Sequence, residues 1–189
     1  MTAKPPRMPL LADDKMTPEQ KKAVADIVSG PRGHLVGPFI PLMRSPEFMG
    51  RLQRTGEYLR FNSAFEPRLS ELAILITARI WSQNFEWHHH RPIAEKAGLK
   101  SAVIDAIAEG RRPDAMAADE ATIYDFLDEL SRNKTVSEAT YQRTVKAFGE
   151  NGVIDLIGIH GYYSLLAMVL NVTQAPLPDN AKPGLNPLP

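Results

Sequence analysis

Residues 71–90 read ELAILITARIWSQNFEWHHH, and this stretch decides both the fold class and the place to look for chemistry. Its first half carries apolar side chains at helical spacing. Leu69, Leu72, Ala73, Ile76 and Ile80 form one stripe on a helix opened by Pro67 and running to about Trp81. Ser82 to Asn84 reads as a break, and a second helix then runs to Gly98, a residue suited to the left-handed position after a helix end. Within that second helix Gln83, Glu86 and His90 fall within roughly 60° of one another on a helical wheel. An amide, a carboxylate and an imidazole thus share a face. A buried glutamate and a histidine four residues apart can pass a proton and move each other's pKa. Glu71 is either a solvated glutamate near a helix N-terminus or a buried partner for the histidine; burial decides between them. Trp87 beside the pair indicates a packed surface, because an indole is seldom left in water. His88, His89 and His90 point about 100° apart, so at most one or two face a pocket.

Outward from this stretch the punctuation is helical throughout. Thr17-Pro18-Glu19-Gln20 supplies a cap, a proline and a capping-box glutamine for a helix to about Ser29. Ser45-Pro46-Glu47 repeats the device for a helix to about Arg60, after the loop GPRGHLVGP at 30–38, which either lines a site or turns a corner. Pro92 should kink its helix near His88 to His90. Further helices are expected at 101–108, 119–131, 137–148 and 153–172. The strand signature of alternating β-branched runs and Asn-Gly turns is nearly missing, so the fold class is all-α. One helical domain is expected over residues 15–173, with proline-rich, irregular arms at 1–14 and 174–189.

Composition narrows the function. Twenty-two basic and twenty-two acidic side chains cancel, which argues against nucleic acid as a partner. The chain has no cysteine, and this removes disulfides, thiolate nucleophiles and thiolate metal sites together. The N-terminus has too few apolar residues before Asp13 and Asp14 for a signal-peptide core, so a cytosolic protein is expected, and the apolar segment 153–172, long enough to span a membrane but holding Asp155, His160 and two tyrosines, is expected to be a buried helix. A metal site is disfavoured: the spacing is not HExxH, and three adjacent histidines cannot ligate one ion from a regular helix. His160 is a remote candidate for the site, although a lone histidine on an apolar helix is more often a hydrogen-bonded core residue.

Glu71, followed at +12, +15 and +19 by Gln83, Glu86 and His90, then by Ala94, Ala97 and Gly98-Leu99, resembles the carboxymuconolactone decarboxylase family and its alkylhydroperoxidase D-like relatives. The likeness extends more loosely through Arg68 and the segment GYYSLLAMVLN at 161–171. In the peroxidase branch the +12 and +15 positions are cysteines; here they are Gln83 and Glu86, so thiol peroxidase chemistry is excluded. The decarboxylase branch often places a histidine three residues after Glu-Trp, as Glu86, Trp87 and His90 do. The resemblance implies an alkylhydroperoxidase D-like helical fold, homo-oligomers such as trimers or hexamers, and cofactor-independent decarboxylation of a small lactone acid from aromatic catabolism. On this reading His90 delivers a proton, oriented by Glu71 or Glu86, while Arg68 or Arg79 holds the substrate carboxylates and Gln83 and His160 complete the pocket. Isomerisation, hydration or lactone opening by the same pair is the alternative, as is a non-catalytic oligomer that binds a small ligand. The chain is longer than the compact decarboxylases, which leaves the substrate open.

Overall fold

The computed structural model describes residues 5–178 and 181–186. Eight α-helices occur among them: α1 Pro18–Val28, α2 Phe39–Leu42, α3 Pro46–Phe61, α4 Pro67–Ile80, α5 Asn84–Lys96, α6 Ser101–Ala108, α7 Ala118–Asn133 and α8 Glu138–Thr173. No strand occurs among the described residues. The local signals explain most of the boundaries. Thr17 and Gln20 form the reciprocal capping box at the start of α1. After α5, Gly98 adopts a φ of 96°, its amide donates to the Glu95 carbonyl, and Leu99 donates to Ala94. That closes α5 with a Schellman motif and sends Leu99 into the core.

The centre of the molecule is α4, which packs against α3, α5, α6, α7 and α8. Every residue from Leu69 to Arg79 is buried. The expected single apolar stripe is therefore too narrow: neighbours surround the helix, and only its ends reach solvent, Pro67 and part of Arg68 at one and Ile80 at the other. Pro92 does not break α5, which runs from Asn84 to Lys96. Proline and the residue four positions earlier, His88, are both exposed, so the lost hydrogen bond falls on the solvent face.

The two helices expected at 137–148 and 153–172 follow one another in α8, broken only at Gly149, whose φ of 71° and ψ of 172° are not helical. Length and mean hydropathy would allow α8 to cross a membrane, yet half of its apolar window is buried against the rest of the fold. It packs on α2, α3, α4 and α7 as a core helix.

The described parts of both arms lie against the body. Arg7 donates from its amide to Thr173 and from its guanidinium to Val172, while Arg44 donates to the Pro9 carbonyl. At the other end Leu185 is buried, its amide donates to Asn84 Oδ1 at 2.8 Å, and Arg79 Nη1 donates to the Asn186 carbonyl at 2.7 Å.

Candidate active site

The α4–α5 pair is joined by a three-residue corner that sets the register of the site. Ser82 takes a φ of 47°, and Gln83, with φ −90° and ψ 101°, is the cap of α5 and lies outside its helical turns. Its Oε1 accepts from the Phe85 amide, and its Nε2 donates to Asn171 Oδ1 at 2.8 Å. Asn171 in turn donates to the Trp81 carbonyl. Gln83 thus ties the corner to α8 through both ends of its amide.

With that register, α4 presents Glu71 to the face of α5 that carries Glu86 and His90. All three are buried, with exposures of 3%, 4% and 2%. This removes the reading of Glu71 as a solvated first-turn residue. His90 Nδ1 lies 2.6 Å from Glu71 Oε2, and its Nε2 lies 3.4 Å from Glu86 Oε2. Burial alone would pull the His90 pKa down, but the charge and hydrogen bond of Glu71, reinforced by Glu86, outweigh it and hold the pKa above the ordinary value. The charged form of the imidazole is thereby favoured between the Glu71 and Glu86 side chains. Its Nδ1–H donates to Glu71 and its Nε2–H faces Glu86. The other oxygen of Glu86, Oε1, is buried without a hydrogen-bond partner.

Arg60, Tyr163, Arg32 and Tyr162 complete the surroundings. Arg60 of α3 places Nε 3.9 Å from Glu71 Oε1. Tyr163 meets the His90 ring edge-on at 5.1 Å, and burial followed by the charge of Glu86 holds its phenol well above the usual range, so it stays a neutral hydroxyl. Arg32, from the loop at 30–38, donates to the Tyr162 hydroxyl at 3.2 Å. Burial pushes the Tyr162 phenol up to about 12. These side chains meet over Gly56 of α3, where a Cβ would stand 2.0 Å from the Tyr162 hydroxyl oxygen and 2.7 Å from Arg32 Nη2. The same loop reaches α5 as well: at Gly37 a Cβ would stand 2.4 Å from the Phe85 ring. Loop 30–38 therefore lines the region and does more than turn a corner.

The remaining candidates lie elsewhere. Arg68 is held by Asp119, Glu120 and Glu66 at 2.6, 2.5 and 2.8 Å, which raises its already high pKa and ties α4 to α7. His160 Nδ1 lies 3.0 Å from Thr77 Oγ1, and Nε2 lies 3.3 Å from Ser131 Oγ. Because Thr77 already donates to the Ala73 carbonyl, it accepts from Nδ1–H, and Ser131 donates to Nε2. His160 thus bridges α4, α7 and α8, with its pKa lowered by burial and then by Lys134. Arg79 faces the C-terminal arm. Of the neighbouring histidines, His88 is exposed, and His89 is half-buried and stacked on Phe85. Burial and then the charges of His90, Arg60, His34 and His88 push His89 down to about 4.

The shift on His90 gives a pH test. Its folded-state pKa exceeds the unfolded value of about 6.5, so its contribution to stability is complete below that pH and is lost as pH rises through the folded value. His89 and His160 are shifted the opposite way and lose stability only as pH falls below about 6.5. Scanning calorimetry between about pH 6.5 and 9 should therefore show a falling unfolding midpoint that flattens in His90→Gln. An equal slope in both proteins would contradict the assignment.

Residues 46–129, from the first residue of α3 into α7, match the Carboxymuconolactone decarboxylase family. The match covers somewhat less than half of the chain. The matched segment contains Arg60, Glu71, Glu86 and His90, whereas Arg32, Tyr162 and Tyr163 come from outside it. Among solved structures, the chain is similar to an uncharacterized peroxidase-related protein from Ralstonia eutropha JMP134, described as an alkylhydroperoxidase AhpD core. The TM-score is 0.74 at 16% identity, over 94% of this chain and 95% of that one, which establishes the alkylhydroperoxidase D-like fold. No curated protein matches the chain in sequence.

Proposed function

We propose that the protein is a cofactor-independent carboxy-lyase acting on a small lactone acid of the 4-carboxymuconolactone type. The observation that carries this reading is the buried Glu71–His90–Glu86 arrangement, which favours the protonated imidazole where water is scarce. Loss of a carboxylate from a lactone acid breaks a C–C bond, releases CO₂ and leaves the electron pair in a dienolate. That dienolate takes a proton on carbon. His90 supplies it from Nε2, directly or through Glu86, while Glu71 holds Nδ1 and fixes the ring. Solvent then restores the proton. Arg60 and Arg32 are better placed than Arg68 to hold the substrate carboxylate that is retained, since three carboxylates already occupy the Arg68 guanidinium.

The working form is a homo-oligomer in the cytosol. Exposed apolar side chains on α8, among them Ile154 at 66% and Val172 at 62%, support self-association.

The test is a panel of lactone acids and aromatic ring-cleavage products incubated with the purified protein and analysed by mass spectrometry. Loss of CO₂ from a lactone acid is the expected result. A product of unchanged mass, or one heavier by water, would replace decarboxylation with isomerisation or hydration by the same residues.

A further inference from the structure

The C-terminal arm crosses the two helices that carry Glu71 and His90. On the α5 side the Asn84 carboxamide takes both backbone groups of Leu185: Oδ1 accepts from the Leu185 amide at 2.8 Å, and Nδ2 donates to its carbonyl at 3.4 Å. On the α4 side Arg79 Nη1 donates to the Asn186 carbonyl at 2.7 Å. That carbonyl is the one acceptor Arg79 has among the described residues, since its Nε and Nη2 are buried without a partner. A buried cation holds a lone acceptor tightly. Leu185 adds an apolar side chain buried to 2% exposure, and at Gly184 the backbone rests on the Trp87 indole so closely that a Cβ would stand 2.6 Å from Cδ1.

These contacts fall where they govern the site. Asn84 is the first residue of α5 and Trp87 lies in its first turn, while Arg79 lies in the last turn of α4. Glu71 and His90 project from the same two helices, and their 2.6 Å bond requires one rotation of α5 against α4. Turning α5 by about 20° carries an atom about 6 Å from its axis through about 2 Å, which breaks a hydrogen bond. The corner between the helices does not resist such a turn by itself, because Ser82 already sits at a φ of 47°, where serine gains nothing. Asn171 of α8 holds the corner from one side, through Gln83 and the Trp81 carbonyl. The arm holds it from the other.

We propose that residues 184–186 are a latch that positions the Glu71–His90 pair: docked across Arg79 and Asn84, they fix the rotation of α5 against α4. Asn84, Gly184 and Leu185 are then positioning residues. The proposal rests on His90 being the working residue of the site, but its test reads the Glu71–His90 bond without substrate and so fails separately from the decarboxylase reading.

The experiment is NMR spectroscopy of the full chain, following the proton on His90 Nδ1, which a short bond to a carboxylate moves far downfield, and the pH at which His90 titrates. Two variants release the latch without touching Glu71 or His90. Asn84→Ala removes both bonds to Leu185, and Gly184→Val sets a side chain against the buried indole. In each, the Nδ1 proton should move upfield and His90 should titrate at lower pH, because Glu71 draws away and burial is left to act. Arg7→Ala loosens the N-terminal arm at the end of α8 instead and should leave both signals at their parental values. Because the two latch variants act at different places, one that fails to fold leaves the other to decide. Parental signals with the arm released, as hydrogen exchange at the Leu185 amide reports, would overturn the inference. So would an arm that stays docked in both variants, or an equal change in Arg7→Ala.

Discussion

His90→Gln should lower kcat for decarboxylation by about 10²- to 10⁴-fold, equivalent to about 2.7 to 5.4 kcal/mol of barrier, with KM changed far less. Glutamine can still donate a hydrogen bond to Glu71, so the α4–α5 contact survives, but it cannot carry a transferable proton. In the proposed mechanism Arg60 and Arg32 hold the substrate carboxylate, and neither is altered. A loss confined to kcat therefore separates proton delivery from binding. The companion variant Glu71→Gln keeps the shape and removes the strongest charge that raises the His90 pKa. In that variant the alkaline limb of the kcat profile should move to lower pH, because the imidazolium is given up sooner. Circular dichroism checks that both variants fold. Parental turnover in His90→Gln would remove the histidine from the mechanism.

Much of this site was legible because the helical period is short-range information. Glu86 and His90 are four residues apart on one helix, and Trp87 between them marked the stretch as packed; it is 1% exposed. The wheel failed at Gln83 for a local reason. The arithmetic assumes helical backbone, and Gln83 has the extended conformation of a cap, which turns its side chain to the corner. Arg68 and Arg79 looked equivalent as cations near the motif. Only the tertiary arrangement shows Arg68 saturated by α7 carboxylates and Arg79 turned toward the C-terminal arm. Arg32, Arg60 and Tyr163 come from a loop, α3 and α8, and no spacing rule connects them to Glu71. The glycine at 56 was a signal that went unread, since a helix-interior glycine often marks a close approach, and here Tyr162 and Arg32 make it.

Trp87→Ala should cost about 3 to 5 kcal/mol of unfolding free energy, the largest stability effect expected of any single substitution discussed for this chain. The indole lies in the core, and the arm closes over it: at Gly184 a Cβ would stand 2.6 Å from the indole Cδ1, and Leu185 beside it is buried. Truncation thus opens a cavity and also removes the surface on which the arm rests. Two effects oppose each other within the side chain. The indole Nε1 is buried without a hydrogen-bond partner, a penalty of about 1 to 3 kcal/mol that any apolar replacement relieves. Trp87→Phe removes that donor and keeps most of the volume, so it should stay within about 1.5 kcal/mol of the parent. Alanine gains the same relief yet loses far more packing. Urea unfolding of both variants, with limited proteolysis to follow release of the arm, measures the two terms separately. If alanine and phenylalanine cost the same, the indole volume is not what holds the arm and the α5 face together.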